Sequence, residues 1–291
     1  MPEIKQRVPV KMVPKKLVKK ASTSVLDEAV DASALLTEYD KVCIYGQNRV
    51  GKTTLACQFP KPLLLLSFDP VQTGGAKSIM NVPGVKVLRL TSTEKAIRLG
   101  AELKQANPFK TIVIDSATSL QDMVLCEIIN LPEIPTVMNW GMIDMDQYRL
   151  RSEKTREVLR IFLTGLKCHT VVTAKERDHN PPKDGVPAIV RGIQQESFFS
   201  VDLGGQTAGW LQDSCDAVVQ LCIMKQYREE EFGEDDDKQI RVIDTGKSVR
   251  KLRLLYHPNY AAGIRSSTPE KVPEFLEAPT YAGLKKIIDG V

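Results

Sequence analysis

No apolar run in this chain of 291 residues comes near the roughly 20 that a bilayer span requires; Leu63 to Leu66, after Pro62, is typical. No hydrophobic stretch follows the basic N-terminus, which argues against a secretory signal and for a cytoplasmic protein without membrane contact. None of the six cysteines (Cys43, Cys57, Cys126, Cys168, Cys215, Cys222) forms a Cys-x-x-Cys pair, and most sit inside apolar runs. Reduced, buried thiols are expected, not disulfides or a zinc site. Internal repeats are absent. Net charge is also scarce, at +4 from 40 Lys plus Arg against 36 Asp plus Glu. The first twenty residues alone carry +6 (Lys5, Arg7, Lys11, Lys15, Lys16, Lys19 and Lys20 against Glu3), which leaves −2 for residues 21–291. The body is therefore not a generally basic polyanion binder, and any contact with nucleic acid must come from local clusters.

The chain does contain alternation, in a composition of 42% hydrophobic and 26% charged residues that excludes collagen-like and wholly disordered chains. Apolar β-branched or leucine-rich runs at Lys41–Tyr45, Leu63–Ser67, Val85–Leu90, Thr111–Asp115 and His169–Ala174 read as strands. Between them, Thr53–Phe59 (closed by Pro60), Thr93–Gln105, Ser116–Asn130 and Asp144–Leu166 read as helices, the last two separated by a Pro-rich loop. Such alternation implies crossover connections, hence an α/β fold with a mainly parallel central sheet and helices on both faces. From Lys175 to about Gly209 periodicity is lost and Pro and Gly accumulate, which predicts a long functional loop. Ala217–Tyr227 and Leu252–Tyr256 then predict a C-terminal antiparallel hairpin flanking an acidic tip, Glu229–Asp237. An extended segment and a terminal helix follow.

The chemistry lies at Gly46-Gln47-Asn48-Arg49-Val50-Gly51-Lys52-Thr53, which matches G-x-x-x-x-G-K-[ST] between a predicted strand and a predicted helix. Two glycines let the backbone curl so that successive N–H groups face a phosphate. Lys52 would neutralise the β and γ phosphates of ATP, the Thr53 hydroxyl would ligate Mg²⁺, and Thr54 completes the binding set. A P-loop also predicts a carboxylate at the end of a buried strand to hold the magnesium, and Thr111-Ile-Val-Ile-Asp115 supplies Asp115. The residue after it is Ser116, so a carboxylate adjacent to Asp115 is missing. Hydrolysis needs a group that positions or deprotonates water. Asp69, just past the second strand, would border the γ-phosphate if that strand lay beside the first, although Asp69-Pro70 also fits a simple turn. Thr173, ending the fifth strand, is placed to sense the γ-phosphate or is there for β propensity.

Gly46–Thr54, Lys61–Asp69, Ile112–Ser116, Val171–Ala174 and Gly209–Leu221 together resemble the RecA-like P-loop ATPases of phages and prophages, of the AAA-domain nucleotide-binding kind, across residues 40–270. This resemblance implies a RecA-like core, ATP hydrolysis with Mg²⁺, and single-stranded DNA as partner in recombination or strand annealing. Residues 1–38 would then be a basic arm and docking segment, 39–270 the ATPase domain, and 271–291 a tail and helix. The family's water-activating acid, usually Glu, maps onto Asp69, one methylene shorter. The resemblance further implies a ring or filament with ATP between subunits and a basic finger from the neighbour. Lys247, Arg250, Lys251, Arg253 and Arg265 are candidates, with Arg265 chosen from the segment Ala262–Pro269.

DNA contact would fall to the 175–209 stretch, through Lys175, Arg177, Lys183 and Arg191 for phosphates and Phe198 and Phe199 for base stacking. The two phenylalanines equally fit packing against the sheet. A single-strand-binding protein is a further expected partner, and the host cytoplasm the setting if the gene is phage-borne. Alternative readings are a hexameric helicase or translocase core, a small-molecule kinase, or a nucleotide-gated DNA-binding module that scarcely hydrolyses ATP. No separate N-terminal domain supports the first, and no short arginine-rich lid supports the second.

Overall fold

In the computed structural model the described residues are 39–69, 75–132, 143–181, 188–190, 193–204, 206–232 and 239–291. The chain runs through β1 (Lys41–Gly46), α1 (Lys52–Ala56), β2 (Leu63–Ser67), β3 (Val85–Arg89), α2 (Thr93–Gln105), β4 (Thr111–Asp115) and α3 (Ala117–Ile129). Then come α4 (Met145–Leu163), β5 (His169–Asp178), β6 (Ala188–Val190), β7 (Ile193–Gln195), β8 (Phe199–Val201) and α5 (Thr207–Ser214). It closes with β9 (Ala217–Phe232), β10 (Gln239–Arg253), β11 (Gly263–Ile264), β12 (Phe275–Glu277) and α6 (Tyr281–Asp289).

The main sheet has the order β12-β10-β9-β1-β5-β4-β2-β3. From β9 to β3 neighbouring strands are parallel, whereas β10 and β12 are antiparallel additions. The apolar run of β2 shows why: Leu64 and Leu66 enter the core on one face of the sheet and Leu63 and Leu65 the core on the other. A strand buried on both faces needs no polar alternation. One core takes in α3, α4 and α5 through residues such as Leu120, Leu159, Phe162 and Leu211; the other takes in α1 and α6 through Leu55 and Leu284. The α/β fold with helices on both faces and a C-terminal antiparallel hairpin is thus the observed architecture.

Local chemistry sets the helix ends. The Ser116 hydroxyl caps α3 by accepting from the Ser119 N–H, and Asn130 ends it in the left-handed conformation at φ 53°. Asp144 and Gln147 form a reciprocal capping box at the start of α4. Helix α1 is shorter than its expected span to Phe59. Its last bonds tighten to Gln58 N–H→Leu55 O and Phe59 N–H→Ala56 O, and Phe59 and Cys57 turn into the core. The expected structureless stretch from Lys175 is corrected more substantially. β5 continues four residues past Ala174, β8 pairs antiparallel with it, and β6, β7 and α5 follow. The expected strand at 252–256 is instead the end of a longer β10, which turns away after Arg253. The arm (1–38), most of the Pro-rich loop (133–142) and the core of the acidic tip (233–238) lie outside the described residues.

Residues 271–291, expected as a tail and helix, hold α6, and their Val272 and Leu284 are buried in the α1-side core. Their anchor is Asp40, buried just before β1. Its carboxylate lies 3.2 Å from His169 Nδ1 and accepts from Lys285 Nζ on α6 at 2.9 Å. Burial raises the Asp40 pKa, but the bonds from His169 and Lys285 outweigh it and hold the group below its ordinary value. A depressed folded value means stability that is present above the ordinary carboxylate value and lost as pH falls through the folded one. Asp40→Ala should therefore cost about 2 kcal/mol at neutral pH. In thermal melts the gap from wild type should close as pH falls below the ordinary carboxylate value, while a gap that stays constant would show that charge pairing is not the anchor.

Candidate nucleotide site

The carboxyl ends of β1, β5 and β4 lie side by side, and the Gly46–Thr53 loop rises from the first of them. Gly46 sits in register with Lys175 of β5, and β9 flanks its other side. A Cβ at Gly46 would meet the Leu221 carbonyl oxygen at 2.2 Å, so only glycine lets the loop leave the sheet there. Gly51 has φ 100°, a backbone state that side chains resist. Between them Val50 is buried in the α1-side core and pins the loop, while Gln47, Asn48 and Arg49 remain exposed. Lys52 Nζ turns back into the loop and donates to Gly46 O at 2.8 Å and Gln47 O at 2.6 Å. Burial lowers its pKa, opposed by the nearby Asp115 and Glu176 carboxylates.

Asp115 is the hub. Thr53 Oγ1 donates to its Oδ2 at 3.0 Å and Thr173 Oγ1 to its Oδ1 at 2.5 Å. Burial pushes its pKa up, the two threonine bonds pull it down, and the neighbouring Asp69 charge raises it again, for a net upward shift. Thr54, next to Thr53, is exposed on α1. A hydroxyl and a carboxylate make an oxygen-only set suited to Mg²⁺. Among the described residues no cluster of three His, Cys, Asp or Glu side chains could hold a metal unaided. These residues therefore fit a magnesium that arrives with phosphate oxygens completing its shell.

Asp69 reaches the site by a route other than the expected one. β5 and β4 stand between β1 and β2, so the second strand is not beside the first. The chain leaving β2 crosses instead to the end of β4, where Phe68 N–H donates to Asp115 O at 3.0 Å. Asp69 then accepts a hydrogen bond from Ser119 Oγ on α3. Its charge acts on both Lys52 and Asp115.

Arg265 lies elsewhere. It follows β11, which pairs with the first residues of β9, at the amino-terminal end of the parallel strands and so at the opposite end of the sheet from the P-loop. Its Nη2 donates to Asp213 O at 2.8 Å. Of the other basic candidates, Arg253 is buried against Glu274 at 2.8 Å, and Lys251 pairs with Glu277 at 2.7 Å. Arg250 is the one placed at the P-loop, with its guanidinium carbon 3.2 Å from where a Gly51 Cβ would stand. Lys175 and Arg177 belong to β5, not to a loop, and Phe199 lies in β8 with its ring stacked on Tyr260 at 5.2 Å. Phe199 thus packs rather than projects, and Phe198 is half-buried near His179, with ring centroids 6.0 Å apart. Lys183 and Arg191 lie outside the described residues. All six cysteines are free thiols, and burial pushes Cys43 and Cys57 up to about 12. No described helix is long and apolar enough to cross a membrane.

Sequence reasoning missed Ser119 as a partner of Asp69, and its only trace was the Ser116-x-x-Ser119 spacing at a helix start. Arg250 was visible as a basic residue, but its contact with Gly51 follows from strand pairing that the sequence does not spell out.

With this geometry in place, the match of residues 38–266 to the AAA domain family is decisive. The chain belongs to that family and is a nucleotide-binding P-loop NTPase of the AAA type. No curated protein gives a significant match.

The raised Asp115 value implies that its ionised form is strained without a cation. Its contribution to stability is intact while it stays protonated and falls as pH rises through the folded value. Asp115→Asn should raise the Tm of the nucleotide-free protein at pH 7.5 by a few degrees. The same variant should lose the Mg²⁺-dependent part of the thermal shift given by ATP. A Tm that drops, with the Mg²⁺ response intact, would remove Asp115 from the metal role.

Proposed function

We propose that this protein is a Mg²⁺-dependent, RecA-like ATPase that couples ATP hydrolysis to single-stranded DNA in recombination or strand annealing of the phage type. The observation that carries the ATPase reading is the single Asp115 carboxylate gripped by Thr53 and Thr173 at the mouth of the P-loop. Phosphates would displace the Gly46 and Gln47 carbonyls as partners of Lys52, while the curled backbone offers its N–H groups. Thr53 and Asp115 would hold Mg²⁺, which supplies charge neutralisation on the phosphate oxygens. Asp69 would take a proton from water as the water oxygen bonds to the γ-phosphorus and the bond to the β–γ bridging oxygen breaks. ADP and phosphate leave. Thr173 keeps Asp115 in place and would sense the phosphate through it.

The DNA part of the proposal draws support from Lys175 and Arg177 at the carboxyl end of β5, with Lys175 directly across from Gly46. A strand bound there would neighbour the phosphates, so the two ligands would feel each other electrostatically. Arg265 lies at the amino-terminal end of the parallel strands, away from this P-loop, with its side chain 65% exposed, so any finger role would serve a neighbouring subunit's ATP. A homo-oligomeric ring or filament, and a single-strand-binding protein as further partner, complete the proposal.

ATP turnover with and without single-stranded DNA, in wild type and Lys52→Ala, tests it. DNA-stimulated hydrolysis that falls by about 100-fold or more in the variant is expected. Phosphate transfer to a nucleoside would overturn the reading, and ATP binding without turnover would favour a nucleotide-gated module. Asp69→Asn should lower turnover by 10²-fold or more, at about the ordinary worth of a positioned base, with nucleotide affinity nearly intact.

A further inference from the structure

We propose that Ser119 is a positioning residue for hydrolysis, acting through Asp69; this rests on the ATPase reading above. Ser119 lies in the first turn of α3. Its Oγ donates to Asp69 Oδ1 and stands 2.9 Å from Ser116 Oγ. Its N–H donates to Ser116 Oγ at 3.1 Å.

The direction of the protons follows from what each group can do. An ionised carboxylate only accepts, so Ser119 spends its one hydroxyl proton on Asp69. The Ser116 hydroxyl must then donate to Ser119, so both protons point along the chain Ser116 to Ser119 to Asp69. Such chains polarise cooperatively, and a bond to a charged acceptor is stronger than a neutral one. The cap of α3 is already made by Ser116 Oγ, so the Ser119 hydroxyl is not needed for capping. Alanine there would also be the better helix former. The hydroxyl is explained by its hold on Asp69.

That hold decides which oxygen is left to react. Oδ1 is fixed by Ser119, and Oδ2 has no hydrogen-bond partner among the described residues. A short carboxylate tethered at one oxygen presents the other, Oδ2, in a set direction toward an attacking water. A longer Glu side chain would carry its carboxyl past the Ser119 tether, so the aspartate and the serine form a matched pair.

The test measures kcat, KM and nucleotide affinity for wild type, Ser119→Ala, Ser119→Cys, Ser119→Thr, Asp69→Asn and the double variant Asp69→Asn with Ser119→Ala. Ser119→Ala should lower kcat about tenfold with KM within about twofold, as expected for a lost bond to a charged group. Ser119→Cys keeps the volume with a weak donor and should fall similarly, whereas Ser119→Thr should restore most of the rate. Adding Ser119→Ala to Asp69→Asn should change kcat by less than about twofold, because nothing remains to position. The proposal is overturned if Ser119→Ala costs the same in both backgrounds, if it raises KM and leaves kcat alone, or if it has no effect. Unchanged kcat in Asp69→Asn would overturn the parent role of Asp69 as well, and would be seen whatever Ser119 does.

Discussion

The buried carboxylate of Asp115 organises this molecule. It ends β4, and it is held from one side by Thr53 of the P-loop helix and from the other by Thr173 of β5. Its backbone carbonyl receives Phe68 as the chain comes off β2. A carboxylate in such a place is costly, because taking an ion out of water is repaid only in part by two hydroxyl donors. The upward shift of its pKa is the residue of that imbalance. What would close the gap is positive charge beside it. Lys52 supplies some, though it is itself weakened by burial and turned toward the Gly46 and Gln47 carbonyls. The polypeptide thus holds a negative group ready for a cation that comes with phosphate, and the same bonds register β4 and β5 against the loop.

The position of that carboxylate follows from packing. β1, β5, β4 and β2 are apolar on both faces because helices cover both faces, and their carboxyl ends emerge where the helices have yet to begin. Only a glycine at position 46 allows the chain to lift off beside β9, given the Leu221 carbonyl against it. Val50 then returns the loop to the core, so a segment of exposed polar residues is fixed at both ends and at its middle.

What the sequence revealed and what it hid divide along physical lines. The P-loop and Asp115 were legible as candidates because each lies at the end of a strand whose burial demands apolar residues; Thr173 was legible from the same kind of apolar run, although it sits in mid-strand and not at the end of β5. Strand order was not: in a parallel sheet nothing in the local sequence says which strand is the neighbour, and the placement of β2 beyond β4 changed how Asp69 arrives. β5 past Ala174 and the outer parts of β9 and β10 were hidden for the opposite reason. Lys175 and Arg177 of β5 and residues 223–228 of β9 are exposed, so no alternation of apolar residues marks these stretches, and Lys175 and Arg177 read as loop. Ser119 was hidden because a serine three residues after an N-cap looks like part of the cap.

The basic residues of β10 carry the same lesson about charge. Read along the chain, Lys247, Arg250, Lys251 and Arg253 form one basic cluster suited to a polyanion. Strand geometry splits it, since successive side chains point to opposite faces of the sheet. Lys251 and Arg253 share a face and are spent on Glu277 and Glu274, with the Arg253 guanidinium between the rings of Tyr260 and Phe275. Arg250 has the other parity and lies against Gly51. Arg253 is clamped three residues away, and the guanidinium end of Arg250 is what reaches the P-loop. A net charge near zero over the body is therefore no measure of the local field. Here the one β10 cation of the other parity, Arg250, stands at the loop where phosphate would bind.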